Sequence, residues 1–146
     1  MKKFQFRLDR VLQYRGLVKD EKTRELVLAR NKAFDCAERL KELEAAALMN
    51  KLEENLECTA EELFLISAYG HKLRCDIERQ EEKLEEAKKN VEIARAAYID
   101  AAKDEKSLST LKQHKLDEYR DYLAKEELKS NDELVVQRAG MEKPLS

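Results

Sequence analysis

Residues 73–108 read LRCDIERQEEKLEEAKKNVEIARAAYIDAAKDEKSL, and the spacing within this stretch decides the fold. Leu73, Ile77, Gln80, Leu84, Ala87, Val91, Ala94, Tyr98, Ala101, Glu105 and Leu108 follow one another at alternating steps of three and four. That alternation is the seam of a coiled-coil helix, in which every seam residue returns to the same face. The same count continues through Lys112, Lys115, Tyr119 and Tyr122. Gln80 and Glu105 are polar members. Such residues fix register when a partner helix faces them and are simply solvated where it has ended. From Glu105 onward the solvated reading is expected.

A second, shorter seam lies upstream: Leu26, Ala29, Ala33, Cys36, Leu40, Leu43 and Ala47. It extends backward through a looser apolar set, Leu8, Val11, Leu12 and Val18. Forward of Ala47 the stripe slips by a residue to Leu48, Leu52 and Leu56, as at a local change of register. Between the seams, Thr59-Ala60-Glu61-Glu62 has the form of a capping box, and Glu61 and Glu62 suit the positive end of a new helix. Gly70 is tolerable inside that helix at a cost of about 1 kcal/mol. Gly140 and Pro144 supply stop signals.

The expected architecture is all-α. One domain, residues 1–146, forms an antiparallel coiled-coil hairpin. Helix one covers about 6–56, a turn about 57–59, helix two about 60–138, and a tail 139–146. At about 1.5 Å per residue the helices span roughly 75 and 115 Å, so the second projects beyond the first. About the last 25–30 residues of helix two, with Leu116, Tyr119, Tyr122 and Leu123, then lack an intramolecular partner.

Composition agrees. Ala, Glu, Lys, Leu and Arg make up 88 of the 146 residues, whereas Gly and Pro supply four. Such a share excludes a β-sheet fold. The net charge of −2 does not suggest nucleic-acid binding. No apolar run approaches the roughly 20 residues of a membrane span. No secretory leader is expected, since no apolar stretch follows the basic start, residues 1–7. Cys36, Cys58 and Cys75 read as reduced thiols. Three isolated glycines make no phosphate cradle. His71 and His114 lack metal-ligand spacing, although Cys75 follows His71 by four residues. No catalytic group, cofactor or metal is expected. Charge is polarised: the first fifteen residues carry Lys2, Lys3, Arg7, Arg10 and Arg15 against Asp9. Residues 38–62 carry eight acids against Arg39, Lys41 and Lys51.

The opening Phe4-Gln5-Phe6-Arg7-Leu8-Asp9-Arg10-Val11-Leu12-Gln13-Tyr14-Arg15 resembles the start of the flagellar export proteins of the FliJ family. The run Leu111-Lys112-Gln113-His114-Lys115-Leu116-Asp117-Glu118-Tyr119-Arg120, with Glu126-Glu127-Leu128-Lys129 and Asp132-Glu133-Leu134, is similar to the family's C-terminal part. The resemblance implies a soluble hairpin of the type III export apparatus, like the central stalk of rotary ATP synthases. It implies docking in the hexameric export ATPase FliI, promotion of its assembly and ATP hydrolysis, contact with the export gate FlhA, and help to export chaperones. It also implies a cytoplasmic location, peripheral to the inner membrane. Carried over by residue, the ATPase contacts are Phe6, Arg7, Leu8, Val11, Leu12, Tyr119, Arg120 and Tyr122. The gate contacts are Tyr69, Leu73 and Gln80, with Asp76 where the family has a small apolar residue. Two other readings remain open on the residues alone: a homodimeric scaffold coiled coil, or the equivalent stalk of a virulence secretion system. The stalk reading expects a monomer near 17 kDa.

Overall fold

The computed structural model describes residues 3–141. Two helices make up the fold, α1 (Asp9–Glu54) and α2 (Ala60–Met141), which pack against each other as a helical hairpin; the described residues form no strand. α1 begins where the carboxylate of Asp9 meets the positive end of the helix. Residues 4–6 are irregular, so Phe6 precedes the helix rather than opening it. The link runs over 55–59. There Glu62 N–H donates to Thr59 Oγ1 and Thr59 N–H donates to Glu62 Oε2, both at 3.3 Å. This is the capping box expected from the sequence, and it satisfies two backbone donors at once. α2 passes through Gly140 without a positive φ, so that glycine is no C-terminal stop. Lys2 and Pro144, expected to add basic charge and to block the helix, lie outside the described residues.

The chain divides into two compact units. One is Val18–Ala101. The other comprises the described residues up to Leu17 together with those from Ala102 onward.

In Val18–Ala101 the buried residues are Leu26, Leu43, Leu73, Ala87 and Ala101, with Asn50 the buried polar one. The helices run antiparallel there, since Gln80 Nε2 donates to the Cys36 carbonyl at 3.0 Å while Asn50 lies against Gly70. The seam from Leu26 to Ala47 faces inward as its spacing predicts. It then continues to Asn50, and the expected slip does not occur: Leu48, Leu52 and Leu56 are 61, 54 and 67% exposed. Asn50 completes the 4,3 step from Leu43 and Ala47 because Gly70 presents no side chain opposite it. A Cβ on Gly70 would stand 2.6 Å from Asn50 Nδ2. Gly70 is thus helical and marks a close approach. Upstream, Lys19 and Lys22 hold the seam positions, half-buried. Lys22 Nζ pairs with Glu25 Oε2 at 3.3 Å, one turn along the same helix.

In the other unit no described residue is buried; its inward side chains are half-buried. Its antiparallel order follows from Arg15–Asp104 at 3.4 Å and Lys112–Asp9 at 2.8 Å. Each partner lies a few residues farther along α2 than a hairpin centred on residue 58 would place it. Glu105 is half-buried with Oε2 shielded from water, which corrects the expectation that it is solvated. α1 continues past this level to Asp9, so Glu105 faces a helix. Beyond Leu108 the inward positions are Lys112, Leu116, Tyr119 and Leu123, not Lys115 and Tyr122. Two consecutive steps of four form a stutter, which turns the leucines inward and Tyr122, 59% exposed, outward. Leu8 and Val11 are exposed and Leu12 half-buried. All residues from 124 to 141 are exposed, so the unpartnered part of α2 is shorter than expected.

Candidate functional site

The first candidate site lies in the unit formed by the chain start and the later part of α2. Residues 4–7 alternate in exposure, with Phe4 and Phe6 half-buried and Gln5 and Arg7 exposed. That is the period of an extended segment, in which alternate side chains share a face. The Phe4 ring meets the Tyr119 ring at 5.6 Å between centroids, tilted by 41°. An offset, tilted pair of this kind adds about 0.5–1.5 kcal/mol beyond its buried area. Asp9 N–H donates to the Phe6 carbonyl at 3.1 Å, turning the segment into α1.

The turn leaves a groove of about 610 Å³ between the extended segment and α2. Phe4, Phe6, Leu8, Leu111, Tyr119 and Tyr122 supply its apolar lining, with Arg7, Lys115 and Glu118 also along it. A neighbouring, more polar recess carries Arg7, Arg10, Lys112 and Asp9, with Lys112 already held by Asp9. The groove can take up an apolar side chain, and the basic groups beside it favour an acidic surround on the partner. Of the expected ATPase contacts it gathers Phe6, Arg7, Leu8, Tyr119 and Tyr122. Val11, Leu12 and the exposed Arg120 lie outside it.

Phe4, Leu111, Lys115 and Glu118 complete the groove without having been singled out as contacts. Two signals were readable. The Phe-Gln-Phe alternation is that of an extended segment. Leu111, Lys115, Glu118 and Tyr122 recur at steps of four, three and four on a stripe beside the seam.

The expected gate residues are placed differently, all within Val18–Ala101. Tyr69 is 48% exposed, whereas Leu73 is 3% exposed and sits in the seam. Gln80 is half-buried and engaged with the Cys36 carbonyl. Only Tyr69 is reachable while the helices are packed. Cys75 Sγ lies 3.9 Å from His71 Nε2 one turn away, and the three cysteines are free and half-buried. Among the described residues no three His, Cys, Asp or Glu side chains group to hold a metal ion. No described helix is long and apolar enough to cross a membrane.

A solved structure described as that of a YscO homolog, CT670 from Chlamydia trachomatis, is similar at 22% identity with a TM-score of 0.45; the match covers 97% of this chain and 100% of that one. Comparison with curated proteins gave no match. The family model for the flagellar FliJ protein matches residues 4–143. With a match over nearly its whole length, the chain belongs to the flagellar FliJ protein family and is a component of type III protein export.

Proposed function

We propose that the chain is a stalk-like, non-enzymatic rod that docks in the pore of the hexameric export ATPase FliI and promotes its assembly and ATP hydrolysis. The observation that carries this reading is the aromatic groove on Phe4, Phe6, Tyr119 and Tyr122, with Arg7 beside it and Lys115 paired to Glu118 at 3.5 Å. An apolar recess beside cationic groups suits a ring whose inner surface offers apolar and acidic side chains. The rod contributes binding free energy and no chemistry. Bound asymmetrically, it favours closure of one subunit interface over the others, and so biases the ATP cycle.

Contact with the export gate FlhA is assigned to the face around Tyr69. Leu73 and Gln80 act there by holding the helix that presents Tyr69. Help to export chaperones and a peripheral position at the cytoplasmic side of the inner membrane belong to the same reading.

Tyr119→Ala and Tyr122→Ala together, added to the export ATPase as a folded full-length protein, are expected to lower ATPase stimulation at least about tenfold, as for loss of a central aromatic anchor. Unchanged stimulation would sink the docking proposal. Co-purification with the ATPase, and light scattering that gives a monomer near 17 kDa, separate the stalk from a dimeric scaffold.

A further inference from the structure

α1 carries, on its last three turns, an apolar face that the fold leaves uncovered. Leu48, Met49 and Leu52 are 61, 60 and 54% exposed. They point away from the seam because Asn50, between them in sequence, occupies it at 5% exposure. The concentration is unusual for this chain. Among the described residues, eight of the 24 exposed large apolar side chains fall from Leu48 to Tyr69 inclusive. Leu48 and Leu52 form one i,i+4 ridge, continued N-terminally by Glu44, and Met49 and Glu53 form the adjacent ridge; Glu57 follows in the link after α1. Two adjacent ridges on a straight helix make a groove that another helix fills.

The acidic side chains decide what kind of helix. Glu44, Glu53 and Glu57 enter no ion pair among the described residues, and residues 38–62 carry a net charge of −5. A second copy of this chain would bring like charge to the same face. A basic partner would instead neutralise carboxylates that the fold leaves without counter-charges.

We propose that the outer face of α1 at Leu48, Met49 and Leu52 is a docking surface for an amphipathic helix of another protein, whose apolar stripe is flanked by Lys or Arg. This surface uses residues of α1 that belong neither to the aromatic groove nor to the Tyr69 face of α2, and it stands or falls independently of the stalk reading. The apolar ridge supplies most of the affinity, Glu44 and Glu53 orient the helix, and Glu57 in the link adds to the acidic field that speeds its arrival.

The test uses the full-length chain and two fluorescein-labelled synthetic 18-residue helical peptides read by anisotropy. One carries leucine on one face and lysine on the other; its counterpart replaces every lysine with glutamate. The leucine–lysine peptide is expected to bind, and the leucine–glutamate peptide to bind at least about tenfold more weakly. Leu48→Ser with Leu52→Ser should weaken the first peptide at least about tenfold. Glu53→Lys with Glu57→Lys should weaken it and flatten its dependence on salt. Leu28→Ser, at a side chain 68% exposed elsewhere on α1, should change nothing. Equal binding of both peptides, or binding untouched by both double substitutions, would overturn the proposal. All five positions are exposed, and circular dichroism confirms that each variant keeps its helices.

Discussion

Asn50 and Gly70 make an internal contact whose energetics can be worked out in advance. Replacing a helical glycine by alanine ordinarily stabilises by about 1 kcal/mol. Here the new Cβ would stand 2.6 Å from Asn50 Nδ2, closer than real contacts allow. Asn50 is 5% exposed and cannot swing into solvent, so the overpacking cost is about 1–3 kcal/mol. Gly70→Ala alone should therefore destabilise by about 1 kcal/mol, against its helix propensity. Asn50→Ala removes the obstruction and also a buried side-chain carbonyl, Oδ1, that has no hydrogen-bond partner. Such an orphan costs about 1–3 kcal/mol, which offsets the packing lost with the side chain. With both substitutions in place the propensity gain returns, and the double variant should match or exceed the parent. The coupling between the sites is then at least about 1 kcal/mol. Urea titration followed by helical circular dichroism at 222 nm on the four proteins gives the cycle. A Gly70→Ala variant that gains the full propensity term with Asn50 present, and shows no coupling, would refute the argument.

Other outcomes follow from single features. Thr59→Ala removes the side-chain acceptor for Glu62 N–H and should cost about 1 kcal/mol in the same urea assay. The stutter predicts that Leu116→Ala destabilises by about 1 kcal/mol while Lys115→Ala stays within about 0.5 kcal/mol, the reverse of an uninterrupted 3,4 count. Removing Arg15 or Asp104, 42 and 54% exposed, should change stability by at most about 1 kcal/mol, and less in high salt. Phe4→Ala should weaken docking to the export ATPase in parallel with Tyr119→Ala, because each ring supports the other. Binding by the Phe4 variant equal to that of the parent would remove Phe4 from the site.

The seam from Leu73 to Ala101 was legible because heptad spacing dictates which side chains meet, whatever their type, and it failed at Glu105, read as solvated although α1 still faces it. Legibility failed where the inward position is polar or charged. Asn50, Lys19 and Lys22 hold seam positions that apolarity alone assigns to Leu48 or Val18. The clue for Asn50 was Gly70, whose missing side chain makes room, but a glycine on one helix does not announce which residue it faces on another. The stutter after Leu108 was hidden because Tyr119 fits both counts. At the candidate groove, family resemblance supplied Phe6, Arg7, Leu8, Tyr119 and Tyr122. Phe4 and Leu111 join them only because the chain enters α1 from an extended segment that crosses α2. For Leu73 apolar type and family position agreed on a contact role, yet the seam takes it first.

Among the described residues every buried side chain belongs to Val18–Ala101, while the unit bearing the aromatic groove has none. Backbone amides near the groove are therefore guarded by half-covered rings and ion pairs at 2.8 and 3.4 Å rather than by a dry interior. Hydrogen exchange should run fastest through that unit, well before global unfolding, and slow there when a partner binds. The groove is thus on the part of the chain with the most conformational freedom left to lose. On the docking proposal, binding would spend free energy on ordering it, so affinity would be moderate for the area covered and release fast. Such a soft contact would suit a rod that engages and leaves its partner repeatedly.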